Sequence, residues 1–119
     1  MNLLRLAAKI AADLRESQRQ GFYLAAVGVR SDGAIVQATN KATRGGYNKS
    51  VPATHAETRL CRKLDAGAVV YVARVLENGV WGLARPCSRC RARMRSQKVR
   101  RVYYTIGPGE YGILDLTAK

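Results

Sequence analysis

A chain of 119 residues, 47% of them apolar, has the size of one globular domain and is too apolar for a disordered segment. Its 21 lysines and arginines against 8 acidic residues give a formal net charge of +13, which predicts attraction to polyanions, nucleic acid before anionic membrane. Three cysteines argue against a disulfide framework, and no apolar run is long enough to cross a bilayer. We therefore expect a single cytoplasmic domain over residues 1–119, with no signal peptide and no membrane partner.

The first part of the chain predicts a helix followed by a hairpin. Apolar residues recur at three- and four-residue spacing over residues 3–14, which is typical of an amphipathic helix. Residues 23–29 predict a buried strand, and Ser31–Gly33 supplies turn chemistry before a second strand over residues 34–39. Residues 40–52 are polar and rich in glycine, so we expect a loop there.

The middle of the chain predicts a second helix and a third strand. The helix is expected from about Thr54 to residue 65 or 66, with Thr54 as its N-cap and Gly67 as its end. Residues 68–75 are apolar and β-branched, which favours a strand.

The last third of the chain predicts a third helix and two more strands. Pro86 suits the first turn of a helix over about residues 86–97, and residues 99–106 predict the next strand. A short turn then leads to a last strand over residues 111–116, which favours a C-terminal hairpin. The order α-β-β-α-β-α-β, with this additional β, predicts an α/β fold of three layers with a mixed sheet of four to five strands.

Four residues suggest a metal centre at the starts of the two later helices. His55, the only histidine, begins the second helix, and Cys87 and Cys90 begin the third. Both helices follow strands, so their N-termini can meet at one edge of the sheet. The two cysteines lie three apart on one helical face, and the partial positive charge of a helix N-terminus favours their thiolates. One nitrogen and two sulfur ligands suit zinc and leave a fourth position for water, so we assign Glu57 as the base beside it.

His55-Ala56-Glu57 followed by Pro86-Cys87-Ser88-Arg89-Cys90 resembles the H-x-E…P-C-x-x-C motif of the cytidine deaminase-like superfamily. The order of elements resembles that fold over nearly the whole chain. The resemblance implies hydrolytic deamination of a nucleobase, with Glu57 carrying protons to the ring nitrogen and the leaving ammonia. It also implies that Asn40 contacts the sugar and that the backbone N–H of Ala56 contacts the pyrimidine carbonyl.

Other interpretations of these residues are weaker. A thioredoxin-like redox pair would leave His55 and Glu57 unexplained. A structural zinc site would need a fourth ligand, and the remaining cysteine, Cys61, points elsewhere on its helix, so we expect Cys61 in the core. An inactive, zinc-stabilised nucleic-acid-binding module is a third alternative, against which the intact Glu57 argues.

The substrate is suggested by the distribution of charge. Residues 85–101 carry eight positive charges in seventeen residues. The residues that we expect to contact nucleic acid are Lys41, Arg44, Tyr47, Arg85, Arg89 and Arg93. A basic rim with an aromatic residue beside a base-modifying centre favours single-stranded nucleic acid, DNA first, with cytosine converted to uracil.

The substrate, the basic residues, the tyrosines and the oligomeric state each allow more than one interpretation. Free cytidine or deoxycytidylate is the alternative substrate, and a solvated basic helix is the plain interpretation of the arginines. Tyr103 and Tyr104 alternate across their strand, so we expect one in the core and assign Tyr104 to the substrate. Free-nucleoside members of the superfamily are commonly oligomeric, so the resemblance leaves a homo-oligomer open.

Overall fold

The computed structural model describes residues 2–17, 23–39, 60–76, 78–86 and 88–116. Within these ranges the chain forms two helices and six strands: α1 (Asn2–Ser17), β1 (Tyr23–Val29), β2 (Ile35–Thr39), β3 (Val69–Val75), β4 (Trp81–Gly82), α2 (Ser88–Ser96), β5 (Arg101–Gly107) and β6 (Glu110–Asp115). Residues 60 and 61 are also helical. None of the helices in these ranges has the length and apolar character that a membrane crossing requires.

The strands form one mixed sheet in the order β2-β1-β3-β5-β6, with β4 paired to β3. β1 runs antiparallel to both β2 and β3, whereas β3 and β5 are parallel. β5 and β6 form the predicted antiparallel hairpin at the C-terminal end. The mixed α/β sheet is therefore confirmed, but the predicted four to five strands are wrong, because β4 is a sixth.

Helical layers cover both faces of the sheet, as the element order predicts. Side chains alternate along each strand, so Ala25 and Val27 of β1 face one side and Ala26 faces the other. Ala25 and Val27 belong to buried clusters that include residues of α1. Ala26 belongs to a larger cluster that includes Leu60, which is helical, and Met94 of α2. The main core therefore lies between the sheet and the layer that contains α2.

β4 pairs with the end of β3, beyond the part of β3 that pairs with β5. β3 pairs with β5 over residues 69–72 and then with β4 at Arg74 and Val75. Thr105 of β5 is fully buried at this junction. Its hydroxyl donates to the carbonyl of Gly82 at 2.7 Å and accepts from the backbone N–H of Arg74 at 3.1 Å. One side chain therefore satisfies backbone groups of two strands at the point where the regular ladder is interrupted.

Thr105→Val is expected to lower the free energy of unfolding by about 1–3 kcal/mol, since the volume is kept but two buried backbone groups lose their partner. Urea unfolding followed by circular dichroism measures this loss. Thr105→Ser is the matched control, because it retains the hydroxyl and should keep the Arg74 amide protected from hydrogen exchange. Equal Arg74 exchange in the valine and serine variants would show that the hydroxyl has no structural role.

The second predicted helix ends earlier than expected. Residues 60 and 61 are helical, but residues 62 and 63 form a turn, whereas the prediction extended to residue 65 or 66. Asp65 instead accepts hydrogen bonds from the hydroxyl and the backbone N–H of Ser31, in the β1–β2 turn. These bonds hold the pKa of Asp65 below its ordinary value. Tertiary hydrogen bonds thus override the local helical pattern.

α2 ends in a Schellman motif around a lysine. Lys98 adopts a positive φ of 62°. The N–H of Val99 donates to Met94 at 3.0 Å, and that of Lys98 donates to Arg95 at 3.0 Å. Val99 and Met94 are both buried in the main core, which supplies the apolar contact typical of this motif. The following strand therefore begins at Arg101, two residues later than predicted.

Candidate active site

Most of the predicted catalytic and ligand residues lie outside the described ranges. These are Asn40, Lys41, Arg44, Tyr47, His55, Ala56, Glu57 and Cys87. Cys90, Arg85, Arg89, Arg93 and Tyr104 lie within them. The structure therefore describes the surroundings of the site through the elements that immediately precede and follow the two motifs.

β2, which precedes the H-x-E motif, and β3, which precedes β4 and the cysteine motif, end at the same edge of the sheet. Thr39, the last residue of β2, pairs with Ala25 of β1. Val75, the last residue of β3, pairs with Tyr23, two residues before Ala25 on the same strand. Asn40, which lies outside the described ranges, follows Thr39 directly in the sequence.

The segment that follows the H-x-E motif approaches the sheet at a glycine. A Cβ atom added to Gly28 would lie 2.6 Å from a methyl of Leu64 and 3.2 Å from a methyl of Leu60. Gly28 therefore allows this segment to pack directly on β1. Leu60 is three residues after Glu57 and is fully buried, and Cys61 beside it is 1% exposed in the main core, as predicted.

The segment that precedes the cysteine motif is fixed to the sheet. The N–H of Ala84 donates to the carbonyl of Thr105 at 2.9 Å, which continues the β4–β5 contact toward Cys87. Ala84 and Pro86 are both buried. The chain thus approaches the cysteine motif from a strand extension that is anchored to β5.

Cys90 lies in the first turn of α2 and is 1% exposed. That turn contains no acidic residue, so the partial positive charge of the helix N-terminus favours a thiolate at this position. Cys90 belongs to the same buried cluster as Leu60 and Cys61, the residues that follow the H-x-E motif. The core thus links the segments that carry the two motifs.

A buried cysteine at a helix N-terminus fits zinc, which binds cysteine sulfur together with histidine nitrogen. The described ranges contain no group of three or more His, Cys, Asp or Glu residues that could hold a metal. His55, Glu57 and Cys87 lie outside these ranges, so the metal centre stays a prediction. In that prediction His55, Cys87 and Cys90 would hold the ion.

The predicted basic residues are exposed beside Cys90. Arg89 and Arg93 lie four residues apart on α2, and both are exposed, as is Arg85 just before the helix. Cys90 and Met94, their immediate neighbours in sequence, are buried. α2 therefore exposes Arg89 and Arg93 next to its core-facing side. Arg85 lies in the non-helical segment before α2, so the prediction that all three share one helical stripe is wrong. Arg85, Arg89 and Arg93 are together called the arginine stripe below. The one ion pair within the described ranges joins Arg30 and Asp32, so the stripe is not neutralised by any acidic group there.

Tyr104 lies on the sheet face that carries the main core. It is half-buried and packs against that core. A Cβ atom added to Gly112 of β6 would lie 2.6 Å from the Cζ atom and from the hydroxyl oxygen of Tyr104, so the tyrosine side chain occupies the place of the missing side chain. Our sequence reasoning did not identify Gly112, although an isolated glycine within a strand often marks a close approach. The assignment of Tyr104 to the substrate stays a prediction.

Comparison with known proteins identifies the family. Residues 1–106 match the model for the cytidine and deoxycytidylate deaminase zinc-binding region. No curated protein matches the chain.

Solved structures show the same fold at low sequence identity. Cytidine deaminase from Burkholderia pseudomallei is 20% identical, with a TM-score of 0.63 over 94% of this chain and 91% of that one. The enzyme from Mycobacterium leprae is 21% identical, with a TM-score of 0.56 over 95% and 92%. The enzyme from Mycobacterium tuberculosis is 17% identical, with a TM-score of 0.52 over 87% of each chain. Because the family match spans most of the sequence, the chain belongs to the cytidine and deoxycytidylate deaminases, zinc-dependent hydrolases that act on cyclic amidines.

Proposed function

We propose that this protein hydrolyses cytosine to uracil and ammonia in single-stranded nucleic acid, with DNA preferred over RNA. The observation that carries the proposal is the arginine stripe on and just before α2, exposed beside the buried Cys90. His55, Cys87 and Cys90 would hold zinc, which would supply the Lewis acidity that this hydrolysis needs.

Glu57 has the proton-transfer role in this proposal. Its carboxylate accepts a proton from the attacking water and delivers protons to the ring nitrogen and to the departing amino group. Water and cytosine are consumed, and uracil and ammonia are released. The backbone N–H of Ala56 donates to the pyrimidine carbonyl, and Asn40 binds the sugar, which together orient the base toward the metal.

The arginine stripe supports a polymeric substrate. A mononucleotide offers one phosphate group, which one or two positive charges can bind. The stripe has three exposed guanidinium groups, and Lys41 and Arg44 of the 40–52 loop add two more charges. Side chains spaced along a helix can follow successive phosphates of a single strand, whose unstacked bases expose the amidine carbon. Tyr47 and Tyr104 are the proposed aromatic contacts to the bases.

Free cytidine or deoxycytidylate is the second candidate substrate, and the comparisons favour it. The three similar structures described above are cytidine deaminases by name, and the matched region spans 87–92% of their chains. This chain thus shares their scaffold over nearly its full length. On that basis a small substrate would bind the same metal centre without using the full arginine stripe.

One assay separates the candidates. The protein is incubated with cytidine, with dCMP and with a cytosine-containing single-stranded oligonucleotide, and each product is identified by mass. We expect uracil in the oligonucleotide, with kcat/KM above that for either small substrate. Efficient conversion of cytidine or dCMP with an untouched oligonucleotide would establish the second candidate instead.

Replacing the two helical arginines of the stripe is expected to weaken oligonucleotide binding. Arg89→Gln with Arg93→Gln should lower the salt dependence, d log K/d log[salt], by about 1.4, from about 0.7 for each phosphate contact on a single strand. Arg5→Gln with Lys9→Gln is the matched control, because these residues have the same spacing and are exposed on α1, on the other side of the sheet. Equal slopes for the two double variants would assign the salt response to net charge alone.

A further inference from the structure

Thr105 occupies the point at which β3 and β5 separate. The two strands pair in parallel as far as Val72 and Tyr104. Beyond that pair, residues 81–84 bond to both strands. β4 pairs with β3, and the N–H of Ala84 donates to the carbonyl of Thr105 on β5 at 2.9 Å. The segment that leads to the cysteine motif is therefore inserted between the ends of two central strands.

The side chain of Thr105 joins the parts of this junction. Its hydroxyl donates to the carbonyl of Gly82 at 2.7 Å and accepts from the N–H of Arg74 at 3.1 Å. Thr105 is fully buried, so these bonds are shielded from water. Together with the bond from Ala84, one residue of β5 holds both β3 and the inserted segment through three hydrogen bonds.

The hydroxyl of Thr105 is not needed to fill space. Among the residues that the structure describes, Thr105 is the only buried one with a polar side chain. Valine is similar in shape, and burying a hydroxyl costs free energy unless the hydroxyl is hydrogen-bonded. A threonine in this apolar interior therefore indicates that its hydrogen bonds, and not its packing, are what the position requires.

The inserted segment shares a buried cluster with the helix that carries the cysteine motif. Ala84 is 4% exposed and belongs to the same cluster as Cys90 of α2. Pro86 is also buried, and it lies only four residues before Cys90. A displacement of residues 82–84 is therefore expected to move the first turn of α2, in which Cys90 lies.

We propose that Thr105 is a positioning residue for the metal centre, because its hydroxyl fixes the segment that leads into α2 and so places the cysteine ligands. Metal binding requires ligand distances within narrow limits, so a displaced helix binds the ion more weakly. This role rests on the proposed ligands His55, Cys87 and Cys90. It is the same whether the substrate is a polymer or a free nucleoside.

Thr105→Val is expected to weaken zinc binding about tenfold, since residues that orient metal ligands contribute about 10–100-fold and Thr105 acts through a longer connection. Competition with a chelator, at a temperature at which the protein stays folded, measures the affinity. The amide of Ala84 should also exchange faster. Thr105→Ser retains the hydroxyl, so it should restore both the zinc affinity and the slow exchange of the Ala84 amide.

Val27→Ala is the control for a loss of stability alone. Val27 is fully buried in a cluster with residues of α1, on the other face of the sheet. This variant should unfold at a lower temperature but bind zinc with the wild-type affinity. Co²⁺ in place of zinc gives an independent signal, because its visible absorption depends on ligand geometry. The bands should shift in Thr105→Val and stay unchanged in Val27→Ala and Thr105→Ser.

The possible results separate this role from the proposed function. A folded Thr105→Val protein that binds zinc and Co²⁺ like the wild type would overturn the positioning role and leave the metal site intact. Equal weakening by Val27→Ala would also overturn it. A wild-type protein that binds no zinc would refute the ligand assignment itself, and the role of Thr105 with it. If the valine variant does not fold, Thr105→Ala removes the same hydroxyl without placing a methyl against its two partners, and the same comparison applies.

Discussion

Glu57→Gln is expected to lower kcat for deamination by about 10²–10⁴-fold while the zinc content is unchanged. Glutamine keeps the size of the side chain but cannot accept a proton from water or return one to the leaving amine. Product formation by chromatography and metal content by mass spectrometry, on the same preparation, separate loss of the base from loss of the site.

Glu110→Gln is the control for this substitution. It makes the same chemical change at an exposed residue at the start of β6, so it should leave kcat unchanged. Retained activity in Glu57→Gln would refute the assignment of the base. Loss of zinc together with activity would instead show that Glu57 supports the metal ligands.

Cys90→Ser is expected to lower zinc affinity more than about a hundredfold, because it removes a sulfur ligand, and even residues that only support ligands contribute 10–100-fold. The wild-type protein should unfold at a lower temperature after chelation, since a metal that binds only the folded state stabilises it. The variant should unfold at a temperature that chelator does not change.

Cys61→Ser is a close control, because Cys61 and Cys90 are equally buried, at 1% exposed, in one cluster. Placing a hydroxyl at either position costs stability, so unfolding temperature alone does not distinguish them. Zinc content does, since Cys61→Ser should retain the metal. Equal zinc loss in both variants would mean that the core, and not a ligand, was damaged.

The parts of the fold that were predicted well are those in which local pattern and tertiary packing agree. The strand over residues 23–29 is a continuous apolar run that is buried on both faces, and it was predicted to the residue. The hairpin to β2 follows from the Ser31–Gly33 turn, where Gly33 has a φ of 90°. The C-terminal hairpin follows from the short turn before β6.

The errors arise where tertiary contacts, and not the local sequence pattern, determine whether an element forms and where it ends. β4 is two residues long, Trp81 and Gly82, and no periodic pattern can be recognised over so short a segment. The second helix was predicted too long because Asp65 bonds to Ser31, 34 residues away. β5 was predicted to begin two residues too early, because a lysine, Lys98, occupies the left-handed position after α2 that usually holds glycine.

The candidate site was accessible from sequence because its chemistry depends on residue types at fixed spacing. His55, Glu57, Cys87 and Cys90 were assigned from the two motifs. The family match supports zinc as the cofactor, and the individual residue assignments stay predictions. The residues that position the site carry no such pattern. Thr105 acts through hydrogen bonds to backbone groups of two other strands. Gly28 and Gly112 act because they have no Cβ atom, which lets a neighbouring side chain pack directly on the backbone.

Gly112 lets β6 control the position of an aromatic ring on β5. Its missing side chain creates the space for the Tyr104 ring, so any larger residue at this position would displace an aromatic ring 8 positions earlier in the sequence. Under our proposal that Tyr104 contacts the substrate, a single codon change at position 112 would alter this contact while every proposed zinc ligand and the proposed base stayed as they are.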